Sequence, residues 1–218
     1  MGGKRTTSLR CAACGVHLQL CVCDRMPRLR LATRIVVVQH NRERHKPTNT
    51  GRLVHLMLEN SALVRHAVRD EPFDPTPLSD PRLDYHLLFP RDDAREIDRD
   101  ELAPDSGRQV ALVVLDGTWA QCSRMSRRVP VVNALPCLML PAGPPTHWGV
   151  RTTPDPGRVS TLDAVIRVLG LLEGRRIARE LANFFDLVAA RTLFMKGKLS
   201  SPMVPDVWRE KARQMWGE

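Results

Sequence analysis

Apolar residues in this chain fall into short unbroken runs in the first two thirds and into helical spacing near the end. Ile35-Val36-Val37-Val38 is a β-branched run that predicts a buried strand. The polar loop NRERHKPTNTGRL follows, then a helix carrying Leu53, Leu56 and Met57. Ser61 to Val68 and Tyr85 to Phe89 are two further strands, separated by the loop EPFDPTPLSDP with its four prolines. Residues 90–108 are charged and read as exposed. Gln109 to Leu115 (QVALVVL) is apolar almost throughout, as a strand buried on both faces of a parallel sheet would be. A helix through Ser126 follows, then a short strand Leu138-Met139-Leu140 closed by Pro141. Ser160 or Thr161 caps a helix with Leu162, Val165, Ile166, Leu169 and Leu172 on one stripe, and Gly174 stops it. A second helix starts near Arg176 with Ile177, Leu181, Phe184 and Val188 inward. Residues 199–218 read as a charged, proline-containing tail with Trp208 and Trp216. Strands alternating with helices predict an α/β fold with a mostly parallel sheet flanked by helices.

Length and charge narrow the function. A chain of 218 residues holds one domain, or one with a small appendage. Its hydrophobic fraction of 43% excludes collagen, a coiled-coil rod and full disorder. No apolar run reaches a membrane span, and MGGKRTTSLRCAAC has no apolar secretory core. Gly2 and Thr6 fit the loose myristoylation pattern, but a cysteine cluster begins a few residues later. A net charge of +9 points to a polyanionic partner, nucleic acid before membrane.

Four of the six cysteines, Cys11, Cys14, Cys21 and Cys23, fall within thirteen residues. Four thiolates in one short stretch suit a structural tetrahedral zinc site, so Arg10 to Arg30 reads as a metal-held knuckle. His17 could replace one sulfur; an iron–sulfur cluster or four free thiols are the alternatives. Isolated Cys122 and Cys137, with no export signal, suggest a reducing, cytoplasmic compartment. The Gly-rich dinucleotide and P-loop fingerprints and the nucleophile elbow are all absent. Asp116, where QVALVVL ends, lies where open α/β sheets bind ligands; the alternative is a cap for the next helix.

LDGTW at 115–119, the four-cysteine N-terminus, NTGRL at 49–53 and RVSTLDAV at 158–165 occur in an order that resembles the DTW-domain family, from about Cys11 to Lys198. One departure is Asp163, where the family usually has Glu. The resemblance implies a SPOUT-like, trefoil-knotted domain over 31–198, with 1–30 as the zinc-binding segment and 199–218 as a tail. It implies a tRNA-uridine aminocarboxypropyltransferase, which moves the 3-amino-3-carboxypropyl arm of S-adenosylmethionine to N3 of a uridine. It places catalysis on Asp116, Thr118 and Trp119. The donor is expected on three loops: Leu115 and Gly117; Leu138 and Leu140; Ser160 and Thr161. Asn49 and Thr50 face the same pocket, and Arg151 holds the arm's carboxylate or a phosphate, or is a solvated surface residue. Two basic clusters, Arg42, Arg44, Lys46 and Arg52 and then Arg124, Arg127 and Arg128, are the candidate tRNA contacts. Only ten aromatic residues argue for shape and phosphate recognition over base stacking. A monomer with no membrane contact is expected. A SPOUT-like RNA methyltransferase and a non-catalytic zinc-ribbon RNA-binding protein are the competing readings.

Overall fold

The structure, a computed structural model, describes residues 9–100, 102, 107–143 and 158–217. Six strands form one sheet: β1 (Arg34–His40), β2 (Ser61–His66), β3 (Leu83–Leu88), β4 (Arg95–Glu96), β5 (Gln109–Asp116) and β6 (Cys137–Met139). Their order is β2-β1-β5-β3-β6-β4, and every pairing is parallel. Among the described residues six α-helices accompany them: α1 (Gly51–Met57), α2 (Trp119–Arg128), α3 (Pro130–Asn133), α4 (Thr161–Leu172), α5 (Arg175–Met195) and α6 (Asp206–Trp216).

Both faces of the sheet are covered, which explains the unbroken apolar runs. Ile35, Val37, Leu112 and Val114 point into a core with α1, α4 and α5. Val36, Val38, Val113 and Leu115 point the other way, into a core with Met125, Val129 and Val132 of the α2–α3 region. β1 and β5 thus alternate between two apolar cores instead of between core and water. β1 and β5 lie side by side in a register that sets Gln39 against Asp116.

The N-terminal segment is built into this body. Cys14, Val16 and Val22 belong to the same core cluster as Leu53 and Val54 of α1. A bridge between Arg10 and His17 and the bond from the Cys11 N–H to the Val16 carbonyl (2.8 Å) close a tight turn. Gly15 in that turn has φ +75, and a Cβ there would lie 2.5 Å from the Pro47 carbonyl oxygen. Only glycine permits both the backbone and the contact with the 47–52 segment.

Three elements depart from expectation. The 90–108 stretch, expected to be exposed, contains β4 and buries Ile97 and Leu102 in the core. Pro130 starts a short helix because a proline is tolerated in a first turn. The tail contains α6, which packs on α5. There Trp216 lies over α4, where a Cβ on Gly170 would sit 2.7 Å from the indole. The β6-to-α4 connection runs through 144–157, outside the described residues, and with it the threading on which the expected knot turns.

Candidate active site

At the carboxyl ends of β3, β5 and β6, beside the 48–50 segment, opens a cavity of about 630 Å³. That is the size and place at which an α/β sheet takes a nucleotide-sized ligand. Asp116, the last residue of β5, is 3% exposed and lines its wall. Its Oδ2 accepts from Asn49 Nδ2 (2.5 Å) and Gln39 Nε2 (2.9 Å). Its Oδ1 accepts from Thr161 Oγ1 (2.9 Å). Asn49 is itself fixed, because its Oδ1 accepts from the Arg52 N–H (3.0 Å) and from Gln39 Nε2 (3.2 Å). One carboxylate therefore joins β1, β5, the segment before α1 and the start of α4. A Cβ on Gly51 would meet that carboxyl group at 2.4–2.7 Å, so glycine allows α1 to begin against it.

The next residues turn the chain into α2. Thr118 caps the helix: its Oγ1 accepts from the Gln121 N–H (3.3 Å), and Gln121 Oε1 accepts from the Thr118 N–H (2.7 Å). The cap therefore belongs to Thr118, and Asp116 is left to the cavity. Trp119 packs against Phe89 with ring centroids 5.6 Å apart, and the Arg158 guanidinium lies 5.1 Å over its ring. Ser160 caps α4, accepting from the Asp163 N–H (3.2 Å).

Of the residues expected at the donor pocket, Thr50, Leu115, Gly117, Leu140, Ser160 and Thr161 line the cavity, as do Thr118 and Trp119. Asn49 stands behind Asp116 and acts through it. Leu138 does not line the cavity; as a β6 residue it points into the core, 3% exposed. Arg151 lies outside the described residues. Sequence reasoning missed Gln39, Thr48, Phe89, Met139, Arg158 and Arg167, all at the cavity or bonded to Asp116. The strand-end rule that selected Asp116 applies equally to Gln39 and Phe89, at the ends of β1 and β3.

The four cysteines converge. Their sulfurs all lie within 4.8 Å of one another, with Cys11–Cys23 at 3.6 Å and Cys14–Cys21 at 3.8 Å. A zinc ion bonded to four sulfurs at ~2.3 Å sets them about 3.8 Å apart, so the group fits a single ion. His17 is not in the group; its Nδ1 accepts from the Gln19 N–H (3.4 Å). Burial raises the Cys11 thiol, but the backbone groups of Cys14 and Ala13 and the neighbouring sulfurs outweigh it, and the thiol falls to about 7. Burial lowers the Arg52 guanidinium, opposed by the Cys14 and Cys11 thiols and by Asp116. The Arg52 side chain lies against the Gly15 turn of the cysteine segment, half-buried, with its Nη2 donating to the Pro47 carbonyl (3.1 Å).

The other basic residues face outward. Arg42, Arg44, Arg124, Arg127 and Arg128 are exposed. Lys46 reaches back to the fully buried Glu43 carboxylate at 2.5 Å, and Arg127 bonds Asp92 (3.1 Å). His40, in edge contact with His66 (6.1 Å), is held below the usual histidine range by burial, by His66, and by Arg42 and Arg124. Arg42 and Arg124, one from each sequence cluster, both act on this imidazole.

A family model described as the DTW domain matches residues 8–193. The chain belongs to the DTW-domain family. Among curated proteins, this DTW-domain chain is 26% identical over 177 residues to tRNA-uridine aminocarboxypropyltransferase 2 of Drosophila melanogaster, covering 78% of this chain and 69% of that protein. No solved structure gives a significant match. The three segments LDGTW, NTGRL and RVSTLDAV meet at one point, where Asn49 and Thr161 bind Asp116. Among the described residues, no helix is long and apolar enough to cross a membrane.

Proposed function

We propose that this protein transfers the 3-amino-3-carboxypropyl arm of S-adenosylmethionine to N3 of a tRNA uridine. The observation that carries this reading is the convergence of Asn49, Thr161 and Gln39 on the Asp116 carboxylate in the wall of a nucleoside-sized cavity. The activity named for the fly relative supports it.

S-adenosylmethionine supplies a sulfonium whose attached carbons are electrophilic. Transfer forms a bond from uridine N3 to the arm's sulfur-bound CH2 carbon and breaks that carbon's bond to sulfur. The electron pair goes to sulfur, methylthioadenosine leaves, and the N3 proton passes to the Asp116 carboxylate as general base. The protein's task is placement: it presents the arm's carbon to N3 and turns the methyl away. The apolar cavity walls suit an adenosine, and the Asp116 carboxylate supplies the negative charge that a sulfonium or an N3–H would meet. Asn49, Gln39 and Thr161 fix that carboxylate before substrate arrives, which is the preorganisation such a site needs. Cys11, Cys14, Cys21 and Cys23 hold one zinc ion; four protein ligands leave no open position, so its role is structural. Arg42, Arg44, Arg124, Arg127 and Arg128 bind tRNA phosphates beside the cavity.

The deciding experiment gives the protein tRNA with donor labelled either in the carboxypropyl arm or in the methyl group. Arm label in tRNA, with release of methylthioadenosine, is the expected result. Methyl label in tRNA would establish a methyltransferase instead, and label from neither would leave a binding protein.

A further inference from the structure

Among the described residues, two guanidinium groups line the cavity. Arg158 is stacked on Trp119. Arg167 is different: it projects from the middle of α4, and its side chain is only 14% exposed. Its Nη2 donates to Asp163 Oδ2 (3.1 Å), whose side chain is 15% exposed. The two residues are one helical turn apart, and long helical side chains lean toward the helix N-terminus. The guanidinium is thereby drawn back toward Ser160 and Thr161, the end of α4 that binds Asp116. Opposite it is Gly143, where a Cβ would lie 2.9 Å from Arg167 Nη1. Glycine at that point of the cavity wall lets the chain pack directly against the guanidinium.

A nearly buried guanidinium in the cavity wall, oriented by a carboxylate, is placed to meet an anionic group bound in that cavity. An arginine presents its donors in a fixed fork that matches a carboxylate. We propose that Arg167 anchors the carboxylate of the donor's aminocarboxypropyl arm, with Asp163 as its positioning residue. The inference rests on the donor assignment made above. It gives the site a means of selection: the arm ends in a carboxylate and the methyl group does not, so gripping that end fixes which carbon faces the acceptor.

Equilibrium binding of two probes tests this without any turnover. S-adenosylmethionine carries the carboxylate; methylthioadenosine has the same nucleoside and sulfur but lacks the arm. Arg167→Gln should weaken S-adenosylmethionine about ten- to a hundredfold and leave methylthioadenosine almost unchanged, as loss of a charge-assisted bond requires. Gly143→Ala, which keeps Arg167 but crowds its Nη1, should lower the same ratio and covers the case in which Arg167→Gln fails to fold. An unchanged ratio in a folded variant, with wild type binding both probes, overturns the anchor and leaves the transferase reading intact. Weakened tRNA binding with an unchanged ratio also overturns it, because the anion would then be an RNA phosphate. Wild type that binds neither probe overturns the donor assignment and the anchor together.

Discussion

Asp116 is the residue on which the site turns, and its surroundings change what a substitution there means. As a helix cap it would tolerate asparagine well. Here Thr118 is the cap, and Asp116 accepts from two amide groups and a hydroxyl. Asparagine can keep its Oδ1 on Asn49 and Gln39 and donate its NH2 to Thr161 Oγ1, whose hydroxyl then turns to the Leu115 carbonyl (3.4 Å), so what is lost is the charge assistance of these bonds, about 1 kcal/mol. Asp116→Asn should therefore lower the urea midpoint. Under the proposed mechanism it should also slow single-turnover transfer at saturating donor by ~10²–10⁴-fold, while donor affinity falls much less. Denaturation and transfer measured on the same variant separate the effects. Lower stability with near-normal transfer would make Asp116 a structural hub only. Lost donor binding with normal transfer at saturation would make it a donor ligand.

At the scale of elements, what the sequence showed and what it concealed have physical causes. β1 and β5 are legible because both faces are buried, so their apolar runs are unbroken. β4 is two exposed charged residues held by pairing with β6, and nothing in its side chains announces a strand. α6 hides in a charged stretch, although Trp208 and Trp216 both pack against the core. In the site, strand ends and motifs revealed Asp116, Thr50 and Thr161, whereas Gln39 and Arg167 look like ordinary members of a strand and a helix. The cysteine knuckle was legible from spacing alone, but not its place in the body of the protein. Because Cys14, Val16 and Val22 share the core of α1, α4 and α5, metal loss should be felt globally. Elemental analysis should find one zinc per chain. A strong chelator should lower the thermal midpoint of the whole transition by several degrees, at about 2–4 °C per kcal/mol for a chain of this size. Absence of metal, or a transition that the chelator leaves unmoved, would remove the metal assignment.

On the scale of the whole molecule, the net charge of +9 has an address. Arg42 and Arg44 leave the sheet beyond β1, and Arg124, Arg127 and Arg128 lie on α2 beyond β5, with His40 sensing both groups. The basic residues after β1 and β5 and the cavity at the end of β5 thus lie on the same carboxyl edge of the sheet, so an RNA bound there as proposed would bring its bases near the cavity. Lys46 and Arg52 contribute less, since Lys46 is tied to buried Glu43 and Arg52 lies beside the cysteine group. Binding through such a surface releases counterions, so the logarithm of tRNA affinity should fall linearly with the logarithm of salt concentration. Reversing Arg42 and Arg44 to Glu should weaken tRNA binding and make that slope shallower by about one for each phosphate no longer neutralised. Donor affinity should hold, because neither residue lines the cavity. Filter binding across a salt series, on wild type and the double variant, measures both slopes. Equal slopes and equal affinities would move the RNA off this edge of the sheet; a parallel loss of donor affinity would show that the substitutions disturb the cavity.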